Sequence, residues 1–319
     1  MGITLELACT AERESMHMES QFAAAQRPIT PDGAPSVAEI VDKVEDLIAL
    51  PDTAVRLNAL LTDPDASTGE IAEVLRLDPA LCGRVLRAVN SAYFGLRARV
   101  DTIPRAVSII GTGELHSLVL ASSAAQALEN ISSELVSMQA FWEHSVRAAL
   151  AARAFAEKTL PRHRERVFLS ALMHDVGQLV LCHQLPAESR KCLEAIQSGE
   201  PRERIEFAVF GFTHADVGAA LLERWRLPES IAEPVRYHHA FDAATKYGKE
   251  AALIHLGCKV SHLMEQGPEY GAACTFDVDP EAWTQAACSP EDLEKVTFEV
   301  GMHWLKVMEI LGPESALIY

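Results

Sequence analysis

Positive charge is scarce in this chain. It carries 28 lysines and arginines against 45 aspartates and glutamates, a formal net charge of −17 over 319 residues. Such a balance repels phosphate backbones and anionic membrane surfaces at long range, which argues against nucleic acid and membrane as partners. The acidity reads most simply as solubility. Aromatic residues are also few, 6% of a chain that is 49% hydrophobic. The core must therefore come from Ala, Leu, Val and Ile, a composition that suits helices. Long apolar runs are missing, and none approaches the ~20 residues needed to span a bilayer. The first residues lack the basic segment and apolar core of a signal peptide. The seven cysteines are odd in number and contain no Cys-x-x-Cys pair, a pattern of reduced thiols rather than a disulfide framework. The expected location is the cytoplasm.

Period-two alternation is absent as well, so the predicted fold class is all-α. Residues 1–35 read as an extension and linker, with a possible helix over 12–26 ahead of the breaker segment Arg27-Pro-Ile-Thr-Pro-Asp-Gly-Ala-Pro35. Ser36 with Glu39, and Ser67 with Glu70, form capping boxes. Asp78-Pro79 opens a helix with proline at its first position. Arg84 and Arg87 on that helix read as a solvated face rather than a DNA reader. Asn90 reads as a turn cap and Phe94 as a core aromatic. A long Ala-rich helix follows from about residue 141 to 158. Residues 168–181 read as one helix, oily except for the adjacent pair His174-Asp175. Thr213 caps a helix that begins with His214. Another helix closes in His238-His239, and two more cover 249–264 and 290–311.

An imidazole beside a carboxylate in an apolar helix is costly unless it is hydrogen-bonded or holds a metal. Here it has company. His144, the pair His174-Asp175, His214 and the pair His238-His239 sit on four separate elements, each in an apolar context. Helical bundles bring such side chains to a common centre. Imidazoles with one carboxylate suit Fe, Mn, Zn or Ni better than Ca or Mg. The alternative is a set of core histidines bonded to one another that fixes helix packing. On the helix over 249–264, His255, Cys258 and His262 share a face by spacings of three and four. They are either a buried thiol with two partly exposed histidines, or ligands for a soft metal.

The order of these residues resembles the HD superfamily of metal-dependent phosphohydrolases, and most closely its HDOD branch, the HD-related output domains of bacterial signalling proteins. The stretches that carry the resemblance are Leu77-Asp-Pro-Ala-Leu81, Val89-Asn-Ser-Ala-Tyr-Phe-Gly95, Ile103-Pro-Arg-Ala-Val107, Phe141-Trp-Glu-His-Ser145, Leu172-Met-His-Asp-Val-Gly177, Phe210-Gly-Phe-Thr-His214 and Arg236-Tyr-His-His239. The resemblance implies a two-lobed helical bundle. Its divisions would be an extension over 1–35, an N-terminal lobe over 36–137, an HD-like lobe over 138–270, and C-terminal helices over 271–319 packed on that lobe.

Three departures accompany the match. Catalytic HD enzymes close their site with an aspartate on a late helix, and Cys258 stands at that position. Gln178 stands where the related cyclic-dinucleotide phosphodiesterases carry a lysine, and their Gly-Tyr-Pro motif is absent. Ala140 stands where those enzymes often add a carboxylate. The resemblance therefore implies a signalling output module that acts through a protein partner, with a degenerate metal site and no catalytic residue assigned. The rival expectation is a phosphohydrolase acting on a nucleotide or cyclic dinucleotide. No receiver or sensor segment is recognised, so input is expected in trans or through the first 35 residues.

Overall fold

Side-chain caps set where the helices begin. The computed structural model describes residues 35–45, 47–63, 65–129, 131, 133–196, 200–265 and 278–311; the helix expected over 12–26 lies outside them. The Glu39 amide donates to Ser36 Oγ at 3.3 Å and the Ser36 amide donates to Glu39 Oε2 at 2.7 Å, so the first capping box is formed. It opens α1, Val37–Val44. Next come α2 (Asp52–Thr62), α3 (Thr68–Arg76) behind the Ser67–Glu70 box, and α4 (Pro79–Val89). Asp78 caps α4 by accepting from the Leu81 amide at 2.8 Å. Asn90 then ties the following loop, accepting from the Val100 amide and donating to its carbonyl, both at 2.7 Å.

Two helices, α5 (Ile103–Ile110) and α6 (Thr112–Leu128), complete the first half. The second half holds α7 (Met138–Thr159), α8 (Arg164–Leu172), α9 (Val176–Gln184), α10 (Pro186–Ile196), α11 (Arg202–Phe210), α12 (His214–Arg224) and α13 (Glu229–Arg236). After a 3-10 turn at Phe241–Ala243 come α14 (Gly248–Glu265), α15 (Pro280–Ala286) and α16 (Leu293–Leu311). No strand occurs among the described residues. The fold is all-α, as the composition and periodicity predict.

The apolar faces collect into two clusters. The smaller is made by α2 to α6, through residues such as Leu57, Leu75, Leu81, Val85 and Leu115. The larger gathers α7 to α16 around Trp142, Phe155, Leu172 and Leu253. Burying one such side chain contributes about 1.5–3 kcal/mol, against about 1 kcal/mol for a cap. The caps therefore place the helix ends, and the two clusters hold the fold.

One helix belongs to both clusters. Leu115, Leu118 and Val119 of α6 lie in the smaller one, and Leu120, Ala121, Ala124 and Leu128 lie in the larger. The sequence groups α1 with the N-terminal lobe, yet Ile40, Val41 and Val44 pack in the larger cluster against α9 and α12. The Trp225 indole adds a bond there, donating to the Ile48 carbonyl at 2.8 Å.

Small residues let particular helices approach closely. A Cβ on Gly257 of α14 would strike the Ala148 carbonyl of α7. A Cβ on Gly177 of α9 would strike the His214 carbonyl and the Gly218 amide of α12. Both approaches flank the histidines that the sequence singles out.

Candidate metal centre

The His174-Asp175 pair does not sit within a continuous helix. The chain breaks between α8 and α9, with Met173 at φ −101°, ψ 2° and Asp175 at φ −102°, ψ 8°. Tightened bonds bridge the break, from the Met173 amide to Ser170 O at 3.2 Å and from the Val176 amide to Met173 O at 3.2 Å. Successive side chains of an unbroken helix point about 100° apart. The break lets both side chains address the same centre, and the expected helix over 168–181 is corrected to two.

Five imidazoles meet there, and four of them are anchored through Nδ1. His174 Nδ1 donates to Ala171 O at 2.7 Å, and His238 Nδ1 donates to Val235 O at 2.7 Å. A carbonyl can only accept, so in the neutral rings Nε2 carries the bare lone pair. His144 Nδ1 meets Glu265 Oε1 at 2.7 Å, and His214 Nδ1 meets Glu206 Oε2 at 2.6 Å. Glu206 also accepts from the His214 amide at 2.8 Å. Thr213 caps α12 as expected, accepting from the Asp216 amide at 3.3 Å.

The Nε2 atoms then face inward around Asp175. Asp175 Oδ1 lies 3.3 Å from His174 Nε2, 3.3 Å from His214 Nε2 and 3.9 Å from His238 Nε2. Its Oδ2 lies 3.6 Å from His144 Nε2. The nitrogens also crowd one another, His144 against His174 at 3.4 Å and His239 against His214 at 3.2 Å. His238 Nε2 is buried with no hydrogen-bond partner. Two bare lone pairs at such separations repel, and either a proton on one ring or a cation between them relieves the contact. Two nitrogens held at ~2.1 Å by one ion sit roughly 3.0–3.4 Å apart. The donor set and its spacing therefore fit a divalent metal.

The charges divide the rings into two kinds. Burial opposes the imidazolium form of His214, but Glu206 and Asp175 outweigh it and raise its pKa to about 10. His144 is likewise held well above the usual imidazole range against burial, by Cys258, Glu265 and Asp175. Burial and the neighbouring imidazoles push His238 down to about 3 and His239 well below its ordinary value. Asp175 stays ionised despite burial because His174, His214 and His144 surround it. The centre favours positive charge on His144 and His214 and disfavours it on His238 and His239.

A third group extends the cluster. His144, Cys258 and His262 offer atoms within 4.8 Å of one another, as do His214, His238 and His239, and His144, His174 and Asp175. Burial alone would raise the Cys258 thiol, yet its histidine neighbours, His144 first, hold it well below the ordinary value. His255 is elsewhere: its Nδ1 donates to the His238 carbonyl at 3.0 Å and braces that turn. Sequence reasoning assigns no part to Glu206 or Glu265. Glu206 was legible only as a polar residue of a helix ending ahead of His214, and Glu265 only as an acid at the end of its helix.

Comparison with known proteins gives the fold a context. The HDOD domain family profile matches residues 47–241. An uncharacterized protein of Treponema pallidum (strain Nichols) is 28% identical over 204 residues, 63% of this chain. The match spans 39% of that relative's own length. Among solved structures, an HDOD domain protein of unknown function from Geobacter sulfurreducens is similar with a TM-score of 0.65 at 24% identity, over 86% of this chain and 94% of that one. A candidate phosphohydrolase from Shewanella amazonensis SB2B gives 0.69 at 24% identity, over 86% and 98%. A candidate signal transduction protein from Marinobacter aquaeolei VT8 gives 0.68 at 22% identity, over 95% and 65%. At these identities the structures bear on fold.

Proposed function

The chain belongs to the HDOD domain family, and from that premise we propose that it is a signalling output module of the cytoplasm, acting through protein contacts around a metal-organised but non-hydrolytic centre. His144, His174, Asp175, His214, His238 and His239 would hold the ion, of the Fe, Mn, Zn or Ni kind. When bound, such an ion polarises a coordinated water or phosphoryl oxygen. What the chain's own residues do with it decides between module and enzyme.

The observation that carries the reading is the placement of the carboxylates. Glu206 and Glu265 are committed to the Nδ1 atoms of His214 and His144, on the far side of each ring. Among the described residues that the cluster brings together, Asp175 is then the one carboxylate facing the Nε2 atoms. The position that an acid closes in the hydrolases is Cys258, whose Sγ lies 3.7 Å from His144 Nε2. Asp175 must neutralise the ion, and among the described residues no second acid is left to align a water. Phosphoester hydrolysis needs that alignment, whereas a structural metal does not.

The rival reading is a metal-dependent phosphohydrolase acting on a nucleotide or cyclic dinucleotide, favoured by the intact order of histidines and the His-Asp pair. One experiment separates the two. The purified protein is loaded with Mn or Fe and offered cyclic dinucleotides and a generic phosphodiester. The expected result is bound metal without turnover. Hydrolysis that is lost in Asp175→Ala would overturn the non-hydrolytic reading.

A further inference from the structure

The end of the cluster nearest α14 has its own chemistry. His144 comes from α7, and Cys258 and His262 come from α14, four residues apart and so on one face. Their ligand atoms lie within 4.8 Å of one another. Cys258 is buried at 6% exposure, and its Sγ is 3.7 Å from His144 Nε2. A tetrahedral ion with bonds of ~2.3 Å to sulfur and ~2.0 Å to nitrogen requires a sulfur–nitrogen separation of about 3.5 Å. The pair stands within a few tenths of an ångström of that value.

One carboxylate orients both imidazoles. Glu265 Oε1 meets His144 Nδ1 at 2.7 Å, and Oε2 meets His262 Nδ1 at 3.3 Å. Each ring is left with Nε2 as its free nitrogen. Ser261 Oγ steadies the carboxylate from 3.2 Å. A carboxylate–histidine pairing of this kind is the usual support for a metal-ligating ring. Here a single Glu serves two rings that flank the same thiol.

We propose that Cys258, with His144 and His262, makes this end of the centre a thiolate subsite for a thiophilic divalent ion of the zinc class. The inference rests on the reading of the cluster as a metal centre and names the metal chemistry that this chain selects. A thiolate carries the same formal charge as the carboxylate it stands in for, so the ion is not forfeited. Its softness shifts selection away from Mg and Mn toward Zn. Cys258, His144 and His262 are three protein donors whose ligand atoms lie within 4.8 Å of one another, a mixed sulfur–nitrogen set of the kind zinc takes.

The test uses the full chain stripped of metal by a chelator and titrated with Co(II), which reports sulfur ligation by an intense near-ultraviolet charge-transfer band. The expected result is that band in the natural protein and its loss in both Cys258→Ser and Cys258→Asp, with cobalt still bound by the aspartate variant. His262→Gln should weaken zinc binding by at least about tenfold, the order of effect seen when a metal's supporting residues are removed. Circular dichroism checks that each variant is folded, and the aspartate variant serves if the serine variant is not. Cobalt bound without the band, or a band that persists in Cys258→Ser, overturns the thiolate subsite alone. Failure of the natural protein to bind cobalt or zinc overturns the metal-centre reading with it.

Discussion

Asp175 is the anion that the inward-facing imidazoles share. Its side chain is 14% exposed, and its Oδ1 stands 3.3 Å from both His174 and His214. Asp175→Asn keeps the shape and removes the charge, stranding imidazoles that the carboxylate had balanced. We expect a stability loss of about 3 kcal/mol in metal-free protein, the usual cost of breaking a buried charge set, measured by urea unfolding. Glu206 acts one step out. Glu206→Gln removes the carboxylate that fixes the His214 ring, and should weaken metal binding about 10–100-fold. Isothermal titration with Zn would read that loss, and an unchanged affinity would remove Glu206 from the centre. The inward residues were legible in the sequence because they recur in a family order. The supporting acids were not, because a carboxylate that braces a ring has no fixed spacing: Glu206 lies eight residues before its histidine and Glu265 lies 121 after its own.

Helix starts are written locally, in Ser36, Ser67, Asp78 and Thr213, and the sequence locates them well. The break at 173–175 is different in kind. Leu169, Leu172, Met173, Val176, Leu179 and Val180 are all buried, so apolar periodicity runs through the break and hides it. Only the demand that His174 and Asp175 face one centre reveals the turn, and that demand is tertiary. Packing between elements was equally hidden. Gly257 sits beside Cys258, where α14 presses on Ala148 and Ala152 of α7. Gly257→Ala should push the helices apart, with a destabilisation of about 1–3 kcal/mol and weaker zinc uptake. Gly301 on α16 is the control, since nothing lies within 4 Å of a Cβ there. Gly301→Ala should leave zinc uptake unchanged and raise stability by up to ~1 kcal/mol through helix propensity. Thermal melts of both variants, with zinc titrations, compare the two positions directly.

Across the molecule, the two clusters are tied by polar as well as apolar contacts. His116 of α6 bonds Asn58 Oδ1 of α2 at 2.8 Å, and Asn58 Nδ2 donates to the Arg226 carbonyl at 3.2 Å, just past α12. Burial lowers the His116 pKa from its ordinary 6.5 to about 4. The folded pKa is the lower one, so between these values the unfolded chain binds more protons. Stability contributed by neutral His116 is thus fully present above pH 6.5 and is lost progressively as pH falls toward 4. His116→Gln should flatten that part of the stability–pH curve relative to the natural protein. Metal should act on the whole fold at once. At a hundredfold excess over its dissociation constant, zinc adds about 2.7 kcal/mol, a rise of roughly 4 °C in Tm for a chain of this size. Calorimetry with and without the ion would read it. The all-α class and the order of the elements were plain from composition and punctuation. The seating of α1 on the larger cluster was not, because an amphipathic stripe says that a helix is covered and not by what.

The shared helix α6 has a mechanical corollary. Leu115 to Val119 are gripped by one core and Leu120 to Leu128 by the other, with no joint between the grips. Because the helix is unbroken across both, the two cores cannot part without drawing α6 out of one of them.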